Sequence, residues 1–170
     1  FDYSLWGSKV PNNEWGLETY DASKVTASGG VLTLECEKVG SNYISGGIET
    51  VNTKAFSYGN FEIQSKLPAS GTRGPWGGFW MQVSGCHEID VLEPNGCDSE
   101  FGTRFQSGSH KPNPCTNKAK VYEGFPDLSS SYNKYAVIWT PKYIKFLFND
   151  EFLWEIDDVD YVPYNPMFVF

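Results

Sequence analysis

Apolar residues recur at every second position through much of this chain, as in Val31-Leu32-Thr33-Leu34-Glu35, Phe61-Glu62-Ile63-Gln64-Ser65-Lys66-Leu67 and Ile144-Lys145-Phe146-Leu147-Phe148. Successive side chains of a strand point to opposite faces, so a strand with one buried face reads this way. Turn clusters separate the runs: Ser28-Gly29-Gly30, Tyr58-Gly59-Asn60, Ala69-Ser70-Gly71 and Asn149-Asp150. The last is spaced to join two apolar runs through a two-residue hairpin turn. No stretch holds a helical period over three turns. The pattern predicts an all-β fold, a jelly-roll sandwich of two antiparallel sheets, and excludes the strand–helix alternation of a parallel α/β sheet. One domain over residues 1–170 is expected, without linker or repeat. Residues 107–122 hold His110, Lys111, Pro112, Asn113, Pro114 and Cys115 with almost no apolar content, and are expected to form a long surface loop.

The chain carries a formal charge of −8 and shows no basic stripe, which argues against nucleic acid as a partner and leaves a neutral ligand. No apolar run approaches the roughly twenty residues of a membrane helix. The N-terminal Phe1-Asp2-Tyr3 lacks the basic and apolar regions of a signal peptide, so a processed, secreted protein is expected. Cys36, Cys86, Cys97 and Cys115 include no Cys-x-x-Cys pair, which favours disulfides over zinc. Three full pairings exist; a bond between Cys115 and Cys97 is the one that would pin the 107–122 segment.

The segment Glu88-Ile89-Asp90-Val91-Leu92-Glu93 interleaves three carboxylates with apolar residues. In a regular strand Glu88 and Asp90 share a face while Glu93 falls on the other, which would bury one acid. A single bulge after Asp90 restores the parity, places all three carboxylates on one side and sends Ile89 to the core. With it, the backbones of Glu88 and Glu93 stand roughly 13 Å apart, and glutamates leaning together would bring their carboxyls to the about 5 to 5.5 Å of a retaining glycosidase pair. Glycosidic bond cleavage needs such a pair: one carboxyl protonates the leaving oxygen while the other attacks the sugar. An acidic solvent-facing strand is the competing explanation of the same cluster.

Upstream, Gly74-Pro75-Trp76-Gly77-Gly78-Phe79-Trp80-Met81 gives Trp76 and Trp80 the same strand parity, a platform on which pyranose rings can stack, and assigns Phe79 and Met81 to the core. Arg73 and Arg104 are the only arginines, and Arg73 and His110 complete the candidate substrate contacts. By parity His87 points away from Glu88. Glu62 fits a cleft or a surface equally, and Tyr122, Trp139 and Trp154 read as core or rim aromatics.

These residues resemble the signature of family 16 glycoside hydrolases, the laminarinase, lichenase, agarase and carrageenase group. Further landmarks lie in the same order: Ser45-Gly46-Gly47-Ile48, Thr53-Lys54-Ala55-Phe56-Ser57-Tyr58-Gly59-Asn60-Phe61-Glu62, Lys66-Leu67-Pro68, Phe79-Trp80-Met81 and Trp139-Thr140-Pro141. The resemblance implies a jelly roll with a concave cleft, Glu88 as nucleophile, Asp90 as its helper and Glu93 as acid/base. The spacing is that of the bulged branch, shared by laminarinases, agarases, porphyranases and carrageenases. Gly47 stands where many laminarinases carry arginine, and the connection Gln82-Val83-Ser84-Gly85-Cys86-His87 is shorter than theirs. The expected activity is endo-hydrolysis of a β-1,3- or mixed β-1,3/1,4-glucan. A β-galactan hydrolase, a transglycosylase and a non-catalytic glucan-binding protein stay open as alternatives. The resemblance implies a polysaccharide partner and no required cofactor; a structural calcium ion on the convex face is common in the family, and no ligands are assigned to it. Asn165-Pro166-Met167-Phe168-Val169-Phe170 resembles the start of a further core strand, so a missing C-terminal strand is expected, with a monomer unless another chain supplies it.

Overall fold

A computed structural model describes residues 1–9, 16–69, 74–83, 85–94 and 102–170. Its contacts gather into two compact units, Phe1–Ala55 with Phe168–Phe170, and Phe56–Met167.

The first unit is built of short strands: β1 (Gly7–Ser8), β2 (Glu18–Tyr20), β3 (Val25–Ser28), β4 (Val31–Leu34), β5 (Cys36–Val39), β6 (Asn42–Ser45) and β7 (Ile48–Glu49). The β3–β4 hairpin turns at Gly29 and Gly30, whose φ of 58° and 79° lie in the left-handed region that glycine enters at no steric cost. β2 lies parallel to β6, a departure from the purely antiparallel sheets expected. The reason is the excursion through β3, β4 and β5, long enough to bring the chain back to the same end before it pairs.

The second unit carries β8 (Gly59–Ser65), β9 (Phe79–Gln82), β10 (Glu88–Glu93), β11 (Phe105–Lys111), β12 (Thr116–Tyr122), β13 (Asn133–Trp139), β14 (Ile144–Phe148) and β15 (Glu151–Ile156). One antiparallel sheet runs β15–β14–β13–β8, and another carries β12–β11–β10–β9 in that order. Asn149 and Asp150, at φ 50° and 71°, make the tight β14–β15 turn that the sequence predicts.

The two sheets meet through the alternating apolar positions. Phe105 of β11 packs edge-on against Tyr135 of β13 at 5.0 Å and lies 5.4 Å from Phe148 of β14. Ile89, Val91 and Leu92 are buried on one side and Val137, Trp139 and Phe146 on the other. The Trp139 indole is sealed in this core with its N–H donated to the Pro163 carbonyl at 2.9 Å, which satisfies its one polar group. Truncating such a side chain costs about 3–5 kcal/mol.

Residues 107–122 are not a loop. They form the β11–β12 hairpin, paired from Phe105↔Tyr122 to Lys111↔Thr116 around a turn at 112–115. The inward positions are Ser107 and Ser109, both fully buried, where an apolar residue would ordinarily announce a strand. Each has polar partners that make burial tolerable. Ser107 Oγ accepts the Trp154 indole N–H at 3.0 Å and lies 3.3 Å from the Tyr122 hydroxyl. Ser109 Oγ faces the carbonyls of Glu88 at 3.0 Å and Tyr161 at 2.7 Å, tethering the main chain at the start of β10. The disulfide also differs from the expected pin: Cys115 bonds Cys86, with Cα atoms 5.7 Å apart, and so ties the β11–β12 turn to the connection before β10. Cys36 is an exposed free thiol, and Cys97 lies outside the described residues.

Candidate active site

β10 sits between β9 and β11, and Glu88, Ile89 and Asp90 have a register partner on both sides, Leu92 on β9 alone and Glu93 on β11 alone. Against β11 the pairs are Glu88↔His110, Asp90↔Gly108 and Glu93↔Gln106; three residues of β10 then span two of β11. Against β9, Asp90↔Trp80 is followed by Leu92↔Phe79, again with one residue extra in β10. The bulge therefore follows Asp90, where the parity of the carboxylates requires it. Ile89, Val91 and Leu92 go to the core, whereas Glu88, Asp90 and Glu93 act on one another electrostatically.

The facing residues make this a polar floor. His110 Nε2 lies 3.1 Å from Asp90 Oδ2 and 3.8 Å from Glu88 Oε1. Gln82 Nε2 donates to Glu88 Oε2 at 2.8 Å, and Gln106 Nε2 donates to Glu93 Oε2 at 2.9 Å. The Trp76 side chain also hydrogen-bonds Glu93. Gly108 lies flat opposite Asp90 because a Cβ there would come within 2.7 Å of the Lys118 carbonyl oxygen.

Burial and like charge work in the same direction on the two glutamates. Desolvation, then the neighbouring Asp90 carboxylate, push Glu88 up to about 8, against the opposing pull of His110. Desolvation and Asp90 likewise raise Glu93, and the Gln106 amide N–H opposes the rise. The His110 imidazolium is favoured by its hydrogen bond to Asp90, more than burial disfavours it. Two carboxyls with raised affinity for protons beside an imidazolium can hold one proton and one negative charge between them, the state an acid and a nucleophile need.

The other candidates separate. Trp80 is on β9, on the face shared with Gln82, while Phe79 and Met81 are buried in the core. Trp76 precedes β9 rather than standing in it, and is 53% exposed beside Glu93. His110 lies on a strand beneath the carboxylates and not in a loop. Arg73 lies outside the described residues. Arg104 pairs with Glu123 at 3.5 Å. Glu62 is exposed on β8, and His87 packs edge-on against Tyr164. Sequence reasoning missed Gln82 and Gln106; both were findable only by pairing β10 with its neighbours in register. Among the described residues the one converging trio of His, Cys, Asp or Glu side chains is Glu88, Asp90 and His110.

A beta-glucanase of Rhodothermus marinus is 27% identical over 179 residues, 88% of this chain and 60% of that protein. The endo-1,3-1,4-beta-glycanase ExsH of Rhizobium meliloti (strain 1021) is 29% identical over 131 residues, 74% of this chain and 27% of that protein. The chain thus spans less than two thirds of either curated relative. The solved structure of a Bacteroides ovatus mixed linkage glucan GH16 in complex with a G4G4G3G product superposes with a TM-score of 0.81 at 25% identity, covering 99% of this chain and 80% of that one. Residues 12–170 match the description Glycosyl hydrolases family 16, and the chain belongs to that family.

Proposed function

We propose that this chain is the catalytic part of a secreted, retaining endo-β-glycanase that hydrolyses internal linkages of a β-1,3- or mixed β-1,3/1,4-glucan. The observation that carries the reading is the bulge after Asp90, which gives Glu88 and Glu93 a common face with one amide donor on each. The glucan assignment draws on the kinship with proteins named beta-glucanase and endo-1,3-1,4-beta-glycanase. Secretion is supported by the Cys86–Cys115 disulfide.

In the first displacement the Glu88 carboxylate attacks the anomeric carbon as the glycosidic C–O bond breaks, and the Glu93 carboxyl gives its proton to the departing oxygen. In the second, the Glu93 carboxylate takes a proton from water, the hydroxyl so formed attacks the same carbon, and the bond to Glu88 breaks. Asp90 orients Glu88 and keeps His110 charged; neither displacement calls on a cofactor. Trp76 and Trp80 offer ring faces for the flanking sugars.

The test is a panel of laminarin, barley β-glucan, agarose and carrageenan with reducing-end detection, run on the wild type and on Glu88→Gln. Turnover of a β-glucan by the wild type, lowered by about a thousandfold or more in Glu88→Gln, is expected. Normal turnover by Glu88→Gln would refute the mechanism, and preference for agarose or carrageenan would move the substrate to a β-galactan.

A further inference from the structure

Each glutamate of the proposed pair is met by one glutamine, and the two glutamines are anchored differently. Gln82 is the register partner of Glu88 on β9, and Gln106 is that of Glu93 on β11. Gln82 Nε2 reaches two acceptors, Glu88 Oε2 at 2.8 Å and the Gly85 carbonyl at 3.3 Å. Turning its amide over would set oxygen against both, so the N–H groups must face the carboxylate. The bond to Gly85 also ties Gln82 to the connection that the Cys86–Cys115 disulfide holds in place. Gln106 Nε2 meets Glu93 Oε2 at 2.9 Å, and among the described residues its side chain has no second hydrogen bond.

We propose that Gln82 and Gln106 are positioning residues with separate duties: Gln82 fixes Glu88 for attack, and Gln106, by its bond to Oε2 of Glu93 and together with the Trp76 side chain, orients the carboxyl whose proton is delivered and later recovered. The proposal rests on the catalytic reading above and deepens it. An N–H donor is compatible with both states of Glu93. It meets a carboxylate oxygen when Glu93 is the base, and the carbonyl oxygen of the neutral carboxyl when Glu93 is the acid, with the O–H turned toward the substrate. For Glu88, which needs only its ionised form to attack, the same contact favours the reactive state.

The separation of duties predicts different dependence on the leaving group. A dinitrophenolate departs without a proton, so its release needs the nucleophile and not the acid. The variants Gln82→Leu and Gln106→Leu are assayed as kcat/KM on the best polysaccharide of the panel and on the 2,4-dinitrophenyl β-glycoside of its repeating disaccharide. Gln106→Leu should lose about tenfold or more on the polysaccharide and stay within about threefold of wild type on the aryl glycoside. Its alkaline limb should move to higher pH, because an N–H that favours the Glu93 anion is gone. Gln82→Leu should lose about tenfold or more on both substrates, with its acidic limb moved to higher pH. Gln82→Met and Gln106→Met provide the same comparison should a leucine variant fail to fold. Equal losses on both substrates for both glutamines, or changes confined to KM, would overturn the assignment. Glu88→Gln run alongside tells that outcome from failure of the catalytic reading itself, since only the latter leaves Glu88→Gln active.

Discussion

At the scale of single residues, the chemistry rests on carboxyls held where water would not put them. Glu88 has its ordinary pKa near 4.5 in the unfolded chain and is pushed to about 8 in the fold, chiefly by desolvation. A carboxyl that binds its proton more tightly in the folded state makes stability fall as pH rises between those two values. Glu88→Gln removes the titration and keeps the shape. The variant should therefore melt at the wild-type temperature near pH 4.5 and several degrees above it at pH 8, read by calorimetry at both. Equal melting differences at the two values would mean that Glu88 is not desolvated. Gln82, Gln106 and His110 are the residues that make this concentration of charge tolerable, each by donating toward an oxygen of the acidic strand.

At the scale of elements, one extra residue in β10 reverses the side of Glu93 and shifts the register against both β9 and β11. Gly108 is the matching device in β11: a methyl there would press on the Lys118 carbonyl oxygen, and Gly108→Ala should cost about 1–3 kcal/mol in urea unfolding, where no change would mean a looser sheet. The bulge was legible in the sequence because carboxylates cannot be buried singly, so parity and charge together left one solution. The β14–β15 turn was legible because Asn149-Asp150 is a turn dipeptide between alternating runs. The β11–β12 hairpin was not, because Ser107, Gly108 and Ser109 carry its inward and cleft-facing positions and apolar periodicity is blind to buried hydroxyls satisfied by Trp154, Tyr122 and main-chain carbonyls. His110 was misplaced with it. The parallel β2–β6 pair was equally hidden, since pairing direction depends on the path between strands and not on their own residues.

At the scale of the molecule, the unit Phe56–Met167 contains every described residue of the proposed catalytic centre, from Trp76 and Gln82 through the acidic strand to Gln106 and His110. A cavity of about 320 Å³ lies on the other side of His110, walled by His87, Lys111, Asp160 and Tyr164, and none of Glu88, Asp90 or Glu93 lines it. All of this depends on Glu88, rather than Glu93, being the residue that bonds to the sugar. Incubation with a 2-deoxy-2-fluoro β-glycoside, which forms the glycosyl-enzyme and slows its hydrolysis, followed by mass spectrometry of a peptic digest, reads that bond directly. One labelled peptide, with the fluorosugar on Glu88, is expected; a label on Glu93, or turnover with no covalent adduct, would contradict the assignment of Glu88 as nucleophile.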